Sequence, residues 1–405
     1  MSLLRVSWRN LWRNRRRTVI TMAAVSLNTL ILITTYSLMD GMLQQTVLNA
    51  TQLATGEAQL HAPGYLSDRS LYTTLPDSEA ILAPLREGSI GAAQRSYGYG
   101  LVSQGTKSAG ALFWGVEPAV EKETFELAGH VAQGSFLGPS SHQGLVLGKK
   151  LARSLNARVG SEIVVLVQAA DGSLGNELFT VEGILGSVGE SMDRNGALMH
   201  LEDFRRLFVM PEGIHEIAVN TRGRIPLTTL AATLAQLAPS AEVKTWHQLL
   251  PILSDMIQLS GASMSLFGAI FFLAAGLGVM NTMLMATYER AHEFGLLKAL
   301  GASPWRIVRD ITVEAWLLAC VSTVFGVLSG LAASYALQEV GLDTSGLAGE
   351  TVIAGVVFDP IWRAALSLDS VLRPVITMWI VCVLAALYPA AMSARLDPVK
   401  SMHQV

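Results

Sequence analysis

A chain of 405 residues that is 51% hydrophobic and only 15% charged, with a formal net charge of -3, is unlike a soluble globule, whose charged fraction is about 25%. Its near-neutral balance excludes the basic face that nucleic-acid binding needs. Cys320 and Cys382 both fall in apolar runs, so the polar part of the chain cannot form a disulfide, and the eight histidines show no paired His/Cys or HExxH spacing that would hold a metal.

In residues 1–17, Leu3, Leu4, Val6, Trp8, Leu11 and Trp12 are interleaved with Arg5, Arg9 and Arg13. Arginines four apart share one helical face, so this stretch is predicted to be an amphipathic elbow helix lying in the headgroup layer. An uncharged run over 19–39 supplies the roughly 20 residues that a bilayer core requires and places the first span at 18–39. It is longer than a signal-peptide core and no A-x-A site follows, so it reads as a retained span.

Residues 40–263 have a mixed pattern and predict an α/β domain. Strands are expected at 144–147, 161–168 and 178–185, the last two joined by a turn at Asp171-Gly172. A helix should follow over 149–155. Later come a strand at 215–220, a helix after Pro226, a strand at 242–246, and a helix from 247 to 260 running into the second span. Two lobes are expected, one from 40–117 with 215–260 and the other from the strand-rich insert between them. The stretch from Gly144 to Lys150 resembles a phosphate loop, but it has one residue too few between glycines and lysine where magnesium binding needs Ser/Thr. Glu190, Asp193 and Arg194 read as a solvated turn. With no Ser/His/Asp arrangement, no catalytic, cofactor or metal residues are assigned.

Further apolar runs place spans at 264–288, 311–337 and 375–394, the last with Pro389 as a candidate kink. Arginines and lysines concentrate before the first span, between the second and third (Arg290, Lys298, Arg306, Arg309) and after the fourth (Arg395, Lys400). By the positive-inside rule those segments, 1–17, 289–310 and 395–405, are cytoplasmic, which puts 40–263 and 338–374 outside. The fold class is therefore an α-helical membrane protein with four transmembrane helices and a mixed α/β extracytoplasmic domain inserted between spans 1 and 2. On the third span Ser322, Gly326 and Gly330 recur every four residues, spacing that lets helices approach closely, within one subunit or between two. Glu314 reads as a structural ion-pair partner of Arg290 or Arg309.

The stretch from Glu289, ER-x-x-E-x-G-L-L-K-A-L-G-A-S, with Glu314-Ala315, Gly326 and Gly330, and an ending at Tyr388-Pro389-Ala390-Ala391 and Ala394-Arg395-Leu396-Asp397-Pro398, resembles the FtsX-like permeases. These include the MacB-type exporters and the lipoprotein-releasing permeases, subunits of type VII ABC transporters. Residues 144–166 and 179–186 look like their periplasmic core domain, and Asp40-Gly41 fits the lipoprotein-releasing branch. The absence of an ATPase domain points the same way. The resemblance implies a multi-pass protein of the bacterial inner membrane, without catalytic activity of its own. By the same resemblance it would work with two copies of a cytosolic ABC ATPase that holds ATP and Mg, and with a second permease copy or paralogue. ATP-driven motion would be transmitted to the periplasmic domain (mechanotransmission). Residue by residue, Glu289, Arg290, Glu293, Gly295, Leu296, Leu297, Lys298, Leu300 and Gly301 become a coupling helix. Its three leucines would lie in an ATPase groove, Glu289, Arg290, Glu293 and Lys298 at the polar rim, and Gly295 and Gly301 where close approach or a helix end is needed. The cargo implied is a lipoprotein, another lipid or a peptide, met by a periplasmic adaptor or carrier. The hairpin at 167–178 is too short for a carrier-recruiting hook. The competing reading is a non-transporting regulator that activates a periplasmic cell-wall hydrolase; a membrane enzyme lacks its catalytic cluster and a receptor its signalling domain.

Overall fold

The structure, a computed structural model, describes residues 3–139, 141–348, 351–353 and 356–395. The expected tail beyond Arg395 lies outside the described residues. The chain divides into two compact units, Met1–Gln44 with Ile257–Thr344 and Ile361–Val405, and Gln45–Met256 with Ser345–Pro360.

The first unit contains the apolar parts of four helices, Arg15–Ala50, Pro251–Glu289, Pro304–Glu339 and Leu368–Ala394, each long and apolar enough to cross a membrane. The first three overrun the predicted spans at both ends, and the fourth overruns its span at the start only. The first continues past Met39 to Ala50, so α/β structure does not begin at Asp40. Nothing in 40–50 breaks a helix, and Gly41 is bare because the Arg363 and Ala365 backbone lies against it, with the Ala365 N–H donating to the Ser37 carbonyl at 2.8 Å. The second helix starts at Pro251, not at His247. A single turn, Trp246–Leu249, is opened by a Thr245/Gln248 capping box, and Pro251 starts a new helix at the position where proline costs least, the first turn. The fourth helix runs unbroken through Pro374 and Pro389. Val25, Leu32, Val279, Leu318, Met378 and Cys382 form the shared core of the four. Some polar side chains there bond between helices, which lipid favours: Asn28 donates to the Phe271 carbonyl at 2.8 Å, and Trp379 Nε1 to Thr323 Oγ1 at 2.8 Å, whereas the buried Thr34 and Ser334 hydroxyls have no partner among the described residues.

The second unit is built on ten strands: β1 Ala58–His61, β2 Gly91–Gln104, β3 Lys107–Val116, β4 Val131–Gly134, β5 Gly144–Leu147, β6 Glu162–Gln168, β7 Leu174–Leu185, β8 Gly196–His200, β9 Glu216–Asn220 and β10 Glu242–Thr245. One lobe is a four-stranded antiparallel sheet in the order β10-β1-β9-β2. The helices Ser78–Glu87 and Leu227–Leu237 cover it, burying Leu82, Leu85, Leu230 and Leu234 against Leu60, Ile217 and Val219. This is a β-α-β-β-α-β arrangement in which β1 lies between β9 and β10, the two strands expected as a β-α-β unit.

The second lobe is inserted between β2 and β9. There the far half of β2 pairs with β3, β3 with β8, β8 with β5, β5 with β7, β7 with β6, and β6 back with β2. Six strands thus close on themselves, which removes most of their exposed edge, and β4 adds on to β7 outside the ring as an edge strand. β6 alternates exposed and buried residues along its length, sending Ile163, Val165 and Val167 inward beside Phe113, Phe179, Phe204 and Phe208. Gly115 on β3 is bare because a Cβ would sit 2.7 Å from the Phe204 side chain. The two predicted lobes are present. The predicted solvated turn is not: Glu190–Asn195 is helical and Asp193 is buried, accepting from Ser187 Oγ at 2.8 Å and the Val188 N–H at 2.9 Å. A carboxylate that satisfies two donors of its own loop can be buried where an unpaired one could not.

The long β2 belongs to both lobes and carries a fully buried arginine. Arg95 pairs with Glu121 at 2.6 Å and Glu216 at 3.1 Å and also donates to the Ala54 carbonyl. Burial alone would lower its pKa, but Glu121, Tyr97 and Glu216 outweigh burial and hold it above the ordinary value.

Candidate functional site

The segment after the second long helix is a short helix, Ala291–Ala299, framed by two breaks. Arg290 leaves helical geometry, ending the long helix at Glu289. At the far end Gly301 takes a left-handed φ of 87°, its N–H donating to the Lys298 carbonyl at 3.0 Å and that of Ala302 to the Leu297 carbonyl at 2.9 Å. That pair of bonds is a Schellman closure, and it requires glycine's freedom at positive φ. Ser303 and Pro304 then open the third long helix.

The two faces of this helix differ. Phe294 and Gly295 are buried, Phe294 among Ile307, Ile311 and Ala390. On the other side Leu296, Leu297 and Leu300 are 50%, 37% and 78% exposed. Three exposed leucines, two on the helix and one at its C-cap, thus share one side of this segment.

The charged residues expected at the rim of a partner's groove also pair within the chain. Arg290 Nη1 donates to both Glu314 oxygens at 2.8 and 2.9 Å, and its guanidinium lies over the Phe294 ring at 5.0 Å. Asn10 donates to the same Glu314 at 2.8 Å. Arg13 pairs with Glu293 at 2.6 Å and Arg17 with Glu289 at 3.0 Å, while Lys298 Nζ donates to the Ala394 carbonyl at 2.8 Å. Partial burial works to raise the Glu293 pKa, but the Arg13 and Arg290 guanidiniums prevail and hold it below the ordinary carboxylate value. Of the two partners considered for Glu314, Arg290 holds it. Asn10, Arg13 and Arg17 were not assigned to this site from sequence; their only signal was the four-residue spacing of the arginines, which equally suits lipid headgroups.

Ser322, Gly326 and Gly330 face the chain's own first long helix. Ser26 Oγ donates to the Ser322 carbonyl at 2.8 Å, and a Cβ on Gly326 would lie 2.6 Å from Thr29 Cβ and one on Gly330 3.1 Å from Ile33 Cβ. The small residues thus let two helices of one chain touch.

Four membrane-length helices with a two-lobed α/β domain between the first and second in chain order are the layout of a multi-pass permease subunit, and similarity to known proteins places it in the ABC transporter class. Residues 18–237 match the MacB-like periplasmic core domain and residues 265–398 the FtsX-like permease C-terminal family. The chain belongs to this family of FtsX-like permeases with a MacB-like periplasmic core. The lipoprotein-releasing system transmembrane protein LolC of Xylella fastidiosa (strain Temecula1) is 23% identical over 96% of this chain and 95% of its own length. LolC of Neisseria meningitidis serogroup B is 22% identical over 84% and 82%. The macrolide export ATP-binding/permease protein MacB of Marinobacter nauticus is 40% identical, but over only 18% of this chain and 11% of its own. End-to-end similarity to LolC against local similarity to MacB puts the chain nearer the lipoprotein-releasing branch.

Proposed function

We propose that this chain is a non-catalytic permease subunit that couples ATP hydrolysis by a separate cytosolic ATPase to motion of its α/β domain, and that its cargo carries lipid, as the name of the LolC relatives suggests. In this reading both termini and the segment 289–310 face the cytoplasm, residues 40–263 and 338–374 lie outside, and a second permease copy or paralogue completes the transporter in the bacterial inner membrane. The ATPase grips Leu296, Leu297 and Leu300 in an apolar groove, a helix-in-groove contact. Glu289, Arg290, Glu293 and Lys298 serve a different end, fixing the helix to its own chain so that a pull on it is passed on.

The observation that carries this reading is the split helix: three exposed leucines on one side, and on the other Phe294 in a closed pocket beside the Arg290–Glu314 pair. A surface helix with no partner would have no use for both. Leu297→Asp puts a charge into the proposed groove, where an unpaired buried charge is strongly unfavourable. Co-purification with the cognate ATPase should be lost in Leu297→Asp and kept by the wild type, with expression and thermal unfolding unchanged. Equal retention would remove the contact. Accessibility reporters between residues 289 and 310 must react from the cytoplasmic side.

A further inference from the structure

Within the α/β unit a cavity of about 280 Å³ opens between the two lobes, near the lower end of the roughly 300–1,000 Å³ range of small-molecule sites. Its wall is mostly aliphatic and aromatic, including Leu53, Leu112, Met192, Leu249 and Trp114. Tyr65, also in the wall, is 2% exposed, stacks on His61 with ring centroids 5.3 Å apart, and its hydroxyl has no hydrogen-bond partner among the described residues. The hydroxyl is not sealed off like the buried unpartnered atoms elsewhere in the chain; it is reachable in the cavity that Tyr65 lines, so a bound acceptor can take its hydrogen bond in place of water. Burial, followed by the nearby Glu216 charge, raises its pKa, so it remains a donor.

Arg69, exposed and also lining the cavity, acts on the Tyr65 phenol electrostatically and has no carboxylate partner among the described residues. The one carboxylate in the wall, Glu216, is already taken. It accepts from Arg95 at 3.1 Å and Tyr97 at 2.8 Å and lies 3.9 Å from His61. The lining therefore offers donors and positive charge at one place and hydrocarbon elsewhere, with no acid left to hold a cation. We infer that this cavity binds a single-chain anionic amphiphile, its carboxylate or phosphate head on Arg69 and Tyr65 and its acyl chain among the leucines and rings. The inference adds a ligand class to the proposed function but does not depend on the ATPase, and its test uses none.

The full chain in nanodiscs of zwitterionic lipid is photolabelled with a diazirine derivative of dodecanoate, and labelled peptides are mapped by mass spectrometry. Labelling is expected at the segments 65–69, 188–192 and 249–250, with displacement by unlabelled dodecanoate and by dodecyl phosphate. Inorganic phosphate and dodecyltrimethylammonium should compete at least tenfold less well. Arg69→Gln should weaken displacement about tenfold, as loss of a charge-assisted contact does, and Ser191→Trp should abolish labelling by filling the cavity. Labelling confined to the four long helices, equal competition by the cationic amphiphile or by inorganic phosphate, or stronger competition by a free-carboxylate hexapeptide would each overturn the inference. Should Ser191→Trp fail to fold, Arg69→Gln on the exposed side decides, and unchanged displacement in that variant counts against the site.

Discussion

His215 shows how a single side chain can set the pH response of the α/β domain. The Tyr97 N–H donates to its Nδ1 at 3.0 Å while Nε2 faces the Leu71 carbonyl at 3.0 Å, which fixes the neutral ring with its proton on Nε2. A second proton on Nδ1 would point at the Tyr97 N–H. Burial is the main reason that the pKa lies below its ordinary value, and it outweighs the Leu71 bond and Glu216, with His61 adding to the lowering. Because the unfolded chain then takes up the proton more readily, this contribution to stability is full above the unfolded value of about 6.5 and falls as pH drops toward the lower folded value. Thermal unfolding of the full chain should show its midpoint declining as pH is lowered from 7 toward 5 (a range set by that unfolded value of about 6.5). His215→Gln should be less stable at pH 7 but flatter over the same range. An identical slope in both proteins would mean that His215 is not the titrating group.

The long helices are held together by the absence of side chains at chosen points. Gly326 has Thr29 Cβ and the Ser26 carbonyl within 2.8 Å of where its own Cβ would stand, whereas Gly278 on the second long helix has nothing within 4 Å. Gly326→Ala should therefore lower stability by about 1–3 kcal/mol through overpacking. Gly278→Ala should raise it by about 0.5–1 kcal/mol through the usual helix preference. Thermal unfolding in one detergent measures both, and equal shifts would show that the close approach at Gly326 is not tight. Such contrasts also mark how far the sequence could be read. Uncharged runs of spanning length gave the four helices directly, because length and composition are local. Their ends were less legible: no breaker stands between Asp40 and Ala50, and Pro251 reset a helix that hydrophobic periodicity alone carried through. Strands β5 and β6 and the helix at 149–155 were readable from alternation and turn chemistry. Closure of the six strands was not, since β2 must pair with β9 in one half and with β6 in the other, and nothing local in 91–104 encodes partners so distant.

At the scale of the whole molecule, the site at the exit of the second long helix was legible as a motif but not as a junction. Its leucines and glycines stand in one short run, whereas Arg13 lies 280 residues from Glu293 and Asn10 lies 304 from Glu314. In the proposed reading the junction gives the charged residues a role within the chain. Arg290 and Glu314 are only 15% and 7% exposed in their side chains, so breaking the pair by removing one partner should cost about 3–5 kcal/mol, while replacing both by apolar groups of similar volume should cost far less. Arg290→Met and Glu314→Leu, singly and together, separate the two cases. If the proposed coupling is right, Arg290→Met keeps the leucine face and still retains the ATPase, but it loosens the helix from the third long helix, whose Glu314 the arginine holds. Its signature would be ATP hydrolysis without the ATP-dependent change in hydrogen exchange over residues 56–250 that the wild type gives. Leu297→Asp should lose both. The double variant, stable again but without the charge pair, then discriminates between mechanisms. Restored exchange changes would mean that packing alone transmits the pull, and a continued loss would mean that the ion pair itself is required. An Arg290→Met protein that transmits as well as the wild type would leave the second helix as the sole lever and make the junction merely structural.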